Sequence, residues 1–197
     1  MGESKPRLMI ATRNRHKTGE IRAMVGGRFE VLDANDLPGL PSVEETGTTF
    51  LENARLKAVA ISKAFDGLVL SDDSGLEVDA LGGEPGVGSS SYGGEEGNHA
   101  RNNERLMREM SGRPQRAARF RCVMVLAREG RMIESFSGSV EGRILESPRG
   151  EGGFGYDPLF APDGHDESFA ELGDEVKNSM SHRGRALAKV LAWLEKR

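Results

Sequence analysis

The chain has 197 residues, of which 37% are hydrophobic and 29% charged, with a formal net charge of −4. That length and balance describe one soluble globular domain, residues 1–197, long enough to bury well over half of its unfolded surface. The acidic balance excludes a general nucleic-acid coat, which would be basic, but leaves room for a phosphate pocket built from a few local cations.

Cys122 is the single cysteine, so no internal disulfide can form, and its place in an apolar run predicts a buried thiol. The first residues, MGESKPRLMI, hold no apolar stretch of signal-peptide length, and no run approaches the ~18 apolar residues of a membrane span. The expectation is a cytoplasmic protein without a membrane or nucleic-acid partner.

In chain order, Arg7–Thr12 reads as a short buried strand, NRHKTGEIRAMV as a helix stopped by Gly26–Gly27, and RFEVLDA as a second strand. Strand, helix, strand is an α/β unit. After a Pro/Gly loop over 36–47, Thr49 and Glu52 form a capping-box pattern. They open a helix to about Phe65, with Leu51, Ala54, Ala58, Ile61 and Phe65 as its apolar face and Asn53 and Lys57 on another. GLVLSDDSGLEVDAL reads as strand, turn and alternating strand. A Gly/Ser-rich loop, a helix over 98–110 and two strands joined around Glu129–Gly130 follow. A second Gly-rich loop, SPRGEGGFGYDPLF, feeds a further strand, and Ser181 caps the last helix.

Four stretches carry chemistry. In ATRNRHK, a strand leads into a helix N-terminus with Lys17 in its first turn; such termini suit phosphate, the alternative being a solvated basic turn. Asp72 and Asp73 close an apolar strand, where ligands of open α/β sheets gather, and paired carboxylates suit magnesium or base chemistry. A turn aspartate capping local N–H groups is the alternative, although one would suffice. Glu44–Glu45 could add a ligand or simply be a solvated helix approach. In GGFGYDP, glycines let a flat ligand approach Phe154, unless Phe154 and Tyr156 are core residues beside a turn. Finally, Lys177, His182 and Arg183 place cations around the start of the last helix, against the helix dipole; they are donors able to read a carbonyl or phosphate.

ATRNRHK, EETGTTFLENARLKA, SDDSGLEVDALGGEPG, GGFGYDPLF and FAELGDEVKNSMSHRGRAL stand in order from residue 11 to 187. Together they resemble the inosine/xanthosine triphosphate pyrophosphatase family, the RdgB-like non-standard purine nucleotidases. The resemblance implies an α/β fold with an elongated central mixed β-sheet, flanking helices and two lobes around an active-site cleft, usually as a homodimer. It implies Mg2+-dependent hydrolysis of ITP, dITP and XTP to the monophosphate and pyrophosphate. By the same resemblance Thr12, Arg13, Asn14, Arg15, His16 and Lys17 line the triphosphate site, and Lys57 faces the phosphates. Glu45 and Asp73 hold magnesium with Asp72 alongside, Asp73 accepts the proton and Ser74 contacts substrate. Phe154, Gly155, Tyr156, Asp157, Lys177, His182 and Arg183 form the nucleoside pocket.

Two positions depart from the family pattern: Arg13, where a small residue is usual, and Ser91, where arginine is usual. Competing readings are a Maf-like pyrophosphatase with another nucleotide preference and a non-hydrolytic nucleotide sensor. The carboxylates Glu45, Asp72 and Asp73 argue against the sensor, since binding a polyphosphate alone needs no anions beside it.

Overall fold

The computed structural model describes residues 5–196. In chain order its elements are β1 (Arg7–Ile10), α1 (Arg15–Val25), β2 (Glu30–Asp33), α2 (Phe50–Ser62), β3 (Leu68–Val78) and α3 (His99–Glu109). They continue with β4 (Ala117–Arg128), β5 (Arg131–Ile144), β6 (Phe160–Pro162), α4 (Phe169–Leu172), α5 (Asp174–Met180) and α6 (His182–Leu194). The strands form one sheet in the order β2-β1-β3-β4-β5-β6. It is mixed: β1 runs parallel to β2 and β3, and β5 antiparallel to β6. Glu129 and Gly130 both take positive φ, as a two-residue hairpin turn requires, so β5 returns beside β4. No helix among the described residues is long and apolar enough to cross a membrane.

The chain divides into two compact units. The first comprises the described residues up to Asp73, Cys122–Ser137 and the described residues from Ala186 on; the second comprises Ser74–Arg121 and Gly138–Arg185.

In the first unit the alternation of strand side chains assigns each face of the sheet to its own helices. Leu8, Ile10, Leu70, Cys122 and Met124 pack against Ile21 and Val25 of α1 and Ala186, Leu187 and Val190 of α6. Met9 and Val69 point the other way, with Ile61 of α2 and Phe65, and Ala54 and Ala58 of α2 meet Val125 and Ala127 of β4. The second unit is centred on Leu76, Val78, Phe120, Val140, Phe160 and Phe169. There Phe120 meets the Phe160 ring edge-on at a centroid distance of 4.8 Å.

Two expected details differ. The DDSG stretch is not a turn: β3 runs unbroken from Leu68 to Val78. Its backbone stays extended between neighbouring strands, and Ser71 Oγ donates to Ala54 O of α2. Leu51 is largely exposed, and α2 buries Phe50 and Asn53 instead. Asn53 is buried because its Oδ1 accepts from the Gly47 N–H at 2.7 Å, tying the incoming loop to the helix.

Candidate active site

The carboxylate cluster of the first unit follows from the strand register. Ile10 lies opposite Leu70, and there β1 ends. The chain turns into α1 while β3 continues with Ser71, Asp72 and Asp73. Thr12 Oγ1 accepts from Asn14 N–H, and Asn14 Oδ1 caps α1 by accepting from the His16 and Lys17 N–H groups. Lys17, in the first turn, reaches Asp72 Oδ1 at 2.7 Å. Asp72, one pleat beyond Leu70, falls on the α1 and α6 face; Asp73 falls on the α2 face with Val69 and Ser71. Accordingly Asp73 meets Lys57 of α2, whose Nζ lies 3.1 Å from Asp73 Oδ1 and 2.8 Å from Glu45 Oε2.

Glu45 is held from below. The Thr49–Glu52 capping box forms, Thr48 N–H donates to Glu52 Oε2, and Asn53 clamps Gly47. A Cβ on Gly47 would stand 2.6 Å from Asn53 Oδ1, so only glycine fits there.

Three carboxylates, Glu45, Asp72 and Asp73, face two ammonium groups, Lys17 and Lys57, which leaves the cluster one negative charge in excess. Burial pushes the Asp73 carboxyl up to about 6, with Lys57 and Lys17 opposing and Glu45 adding to the rise. Burial also acts upward on Glu45, but Lys57 outweighs it and Glu45 ends below the usual carboxylate range. Burial alone would lower the Lys57 ammonium; Asp73 and Glu45 reverse that and raise it. Asp73 Oδ2 is buried and receives no hydrogen bond. A buried carboxylate oxygen without a donor beside a net negative charge fits a divalent cation. Among the described residues no three His, Cys, Asp or Glu side chains group into a full protein cage. Magnesium needs none, since it is typically bound by one or two carboxylates with phosphate and water.

In the second unit, α5, α6 and the Gly-rich loop build a cationic, aromatic cluster. Lys177 is almost fully buried, 2.5 Å from Asp157 Oδ2, and its Nζ lies 4.9 Å from the centre of the Phe154 ring. Arg183, equally buried, sits 5.7 Å from the same ring and donates through Nη2 to Ser74 Oγ at 2.9 Å. Asp157 Oδ2 also accepts from the Phe154 N–H, which fixes the loop. Gly153 has φ 69°, and a Cβ there would stand 2.2 Å from Asp157 Oδ2. His182 is buried and stacks on Phe120 with centroids 4.8 Å apart. From α3, Asn103 Nδ2 donates to Gly155 O at 3.0 Å, and the His99 ring lies 6.1 Å from Phe154. Gly184, in the first turn of α6, has no room for a side chain, because a Cβ would stand 2.0 Å from Asn178 O.

The structure therefore brings Lys17, Glu45, Lys57, Asp72 and Asp73 together in one unit, and Ser74, Phe154, Asp157, Lys177 and Arg183 in the other. Thr12 and Asn14 shape the start of α1, while Arg15 and His16 are exposed. Arg13 donates to Ala34 O and Leu40 O, so its guanidinium braces the loop after β2. Tyr156 is a core residue whose OH donates to Ser89 O. Burial raises the Tyr156 hydroxyl pKa well above its ordinary value. Ser91 lies exposed in its loop. Glu77 and Asp79 are held by Arg119 and Arg121 as ion-pair partners. Sequence reasoning missed Asn103, the loop contact of Asn53 and the Asp72 contact of Cys122, whose partners are distant or cross a loop.

The family model described as the Ham1 family matches residues 8–193. A dITP/XTP pyrophosphatase of Halalkalibacterium halodurans is 46% identical over 190 residues, covering 95% of this chain and 98% of the relative. One from Geobacter sulfurreducens is 50% identical over 194 residues, covering 95% and 97%. Among solved structures, the Ham1 protein of Staphylococcus aureus superposes with a TM-score of 0.86 at 38% identity, covering 96% of this chain and 98% of that one. A HAM1 protein from Coxiella burnetii does so with a TM-score of 0.87 at 34% identity, covering 98% and 100%.

Proposed function

The chain belongs to the Ham1 family, and from that premise we propose that it hydrolyses the non-standard purine nucleoside triphosphates dITP, XTP and ITP to the monophosphate and pyrophosphate. The observation that carries the reading is the set of three carboxylates and two lysines around β3, one of the carboxylate oxygens buried without a donor.

Glu45 and Asp73 would hold the metal, which we take to be Mg2+. When bound, it neutralises phosphate charge and makes the α-phosphorus more electrophilic. Lys17, at the N-terminus of α1 where the backbone dipole also favours anions, binds the triphosphate, and Lys57 faces the phosphates from α2. Asp73 orients the attacking water and takes its proton as the oxygen attacks the α-phosphorus. The bond to the α–β bridging oxygen breaks and pyrophosphate leaves with that oxygen. A group with a pKa near 6 in the metal-free protein is poised for that transfer close to neutral pH.

The Phe154 ring serves as platform for the purine base, and the Asp157–Lys177 pair and Arg183 surround it with donors. Ammonium and guanidinium groups donate hydrogen bonds and accept none. They pair with the 6-keto oxygen of hypoxanthine or xanthine and oppose the 6-amino group of adenine, a contrast that can be worth ~10⁴ in specificity. We further propose that the enzyme works in the cytoplasm as a homodimer, on the strength of the family resemblance.

A substrate panel tests the reading. Purified protein with Mg2+ is given ITP, dITP, XTP, ATP, GTP and the pyrimidine triphosphates, and pyrophosphate and orthophosphate are measured separately. Pyrophosphate release concentrated on the first three supports it. Orthophosphate release, or equal rates on ATP and ITP, overturns it.

A further inference from the structure

The side-chain amide of Asn103 is only half satisfied. Asn103 lies on α3 one turn after His99, so the two share a face of that helix. Its Nδ2 donates to Gly155 O at 3.0 Å, whereas its Oδ1 is buried and receives no hydrogen bond from any described residue. The contact with Gly155 fixes which way the amide points, since exchanging N and O would set two oxygens against each other. A buried acceptor without a donor is destabilising, and an apolar side chain of similar size would remove that cost. Gly155 is itself half-buried, so water can serve its carbonyl in place of the amide. Stability therefore gives no reason for an asparagine at this position.

What the amide holds is the aromatic loop. Phe154 lies between Gly153, with φ 69°, and Gly155, with φ 65°, and a Cβ on Gly155 would stand in open space. Backbone flanked by such glycines turns readily unless hydrogen bonds hold it. The Phe154 N–H donates to Asp157 Oδ2 and the Asp157 N–H to Phe154 O, which tie the loop to itself. The Asn103 bond ties it to α3, 52 residues away in sequence. We propose that Asn103 is a positioning residue for the purine platform: its amide fixes the Gly155 peptide and, through it, the Phe154 ring, and leaves one oxygen unpaired in doing so. This rests on the reading that Phe154 carries the base. All of these groups belong to the second unit. Without the donor the Gly155 peptide turns, and the ring shifts from its place beside Lys177 and Arg183. The triphosphate is assigned to Lys17 and Lys57, so the loss falls on binding of the base.

Asn103→Leu, close in size and without polar atoms, is the test. It is expected to melt no lower than the wild type, because the unpaired oxygen is gone. With Mg2+ its KM for dITP is expected to rise about five-fold, the order of one neutral hydrogen bond, with kcat within about two-fold of the wild type. The inhibition constant of 2-deoxyribose 5-triphosphate, which has the sugar and phosphates but no base, should stay within about two-fold. A merely structural role would move both constants together. An unchanged KM for dITP overturns the proposal, as does an equal rise for the base-free compound. So does a variant that melts below the wild type or does not fold, because the amide would then be needed for stability. If the wild type itself releases no pyrophosphate from dITP, the proposed function falls and this inference with it. A wild type that turns over dITP beside a variant of equal KM removes the inference alone.

Discussion

Asp72 and Asp73 are consecutive in β3, yet their carboxylates meet lysines from different helices: Lys17 Nζ lies 2.7 Å from Asp72 Oδ1, and Lys57 Nζ 3.1 Å from Asp73 Oδ1. The two-residue period of a strand sends neighbours to opposite faces, and α1 and α2 cover those faces. Adjacent acids thus acquire separate partners, and in the proposed mechanism separate duties, Asp72 pairing with Lys17 and Asp73 holding metal and taking the proton.

Asp73→Asn should reduce turnover by ~10² or more, the scale of a lost general base, while the fold persists. The same substitution should stabilise the metal-free protein. Asp73 titrates near 6 when folded against an ordinary 3.8, so its folded-state cost is absent below about pH 4, grows as pH rises through 6 and is then constant. In chelator at pH 7 the asparagine variant is expected to melt above the wild type, by up to about 3 kcal/mol of stability, the difference vanishing near pH 4. Added Mg2+ should stabilise the wild type and leave the variant nearly unmoved. Melting curves at several pH values, with and without metal, check both signs.

Lys57→Met removes the ammonium that bridges Glu45 and Asp73. Asp73 can respond by protonating, so the expected stability loss is about 1–3 kcal/mol, below the full cost of a stranded buried charge. Denaturant melts should show the loss shrinking at pH 5.

Arg183→Lys keeps the charge but loses the planar fork that spans Ser74 and Phe154. The kcat/KM ratio for dITP over dATP is expected to fall at least ten-fold, mostly through dITP. A ratio unchanged in a variant that melts like the wild type would remove Arg183 from base recognition.

Gly153→Ala should destabilise the second unit by more than about 1 kcal/mol, because an L-residue at φ 69° is strained and its Cβ collides with Asp157 Oδ2. KM for dITP should rise with it, since Asp157 holds both Lys177 and the Phe154 N–H.

Arg13 offers a contrast. Its guanidinium is committed to the Ala34 and Leu40 carbonyls, so Arg13→Ala should lower the melting temperature while leaving KM for the triphosphate within about two-fold. A large rise in KM without loss of stability would restore Arg13 to the phosphate site.

Much of this was legible in the residues. Local patterns served where the physics is local: the Thr49–Glu52 capping box, the Glu129–Gly130 turn and the Ser181 cap, whose Oγ accepts from Gly184 N–H, all form. Asp72 and Asp73 stood out because adjacent charges ending an apolar run need partners. That run suggested a turn only because Ser-Gly is common in turns; the pairing that keeps β3 straight comes from strands far off in sequence. Cys122 and Asn103 carry no sequence signal, since an isolated cysteine in a strand and an asparagine on a helix look like core and surface until Asp72 and Gly155 O are placed beside them. Tyr156 illustrates the reverse: within GGFGYDP it looks as available as Phe154, but its hydroxyl closes on Ser89 O inside the core.

The central claim, that water attacks the α-phosphorus and pyrophosphate departs, is tested most directly by turnover of dITP in water labelled with heavy oxygen. The account predicts one labelled oxygen in the monophosphate and none in the pyrophosphate. Label in the pyrophosphate, or in orthophosphate, would place the attack elsewhere on the chain of phosphates and contradict it.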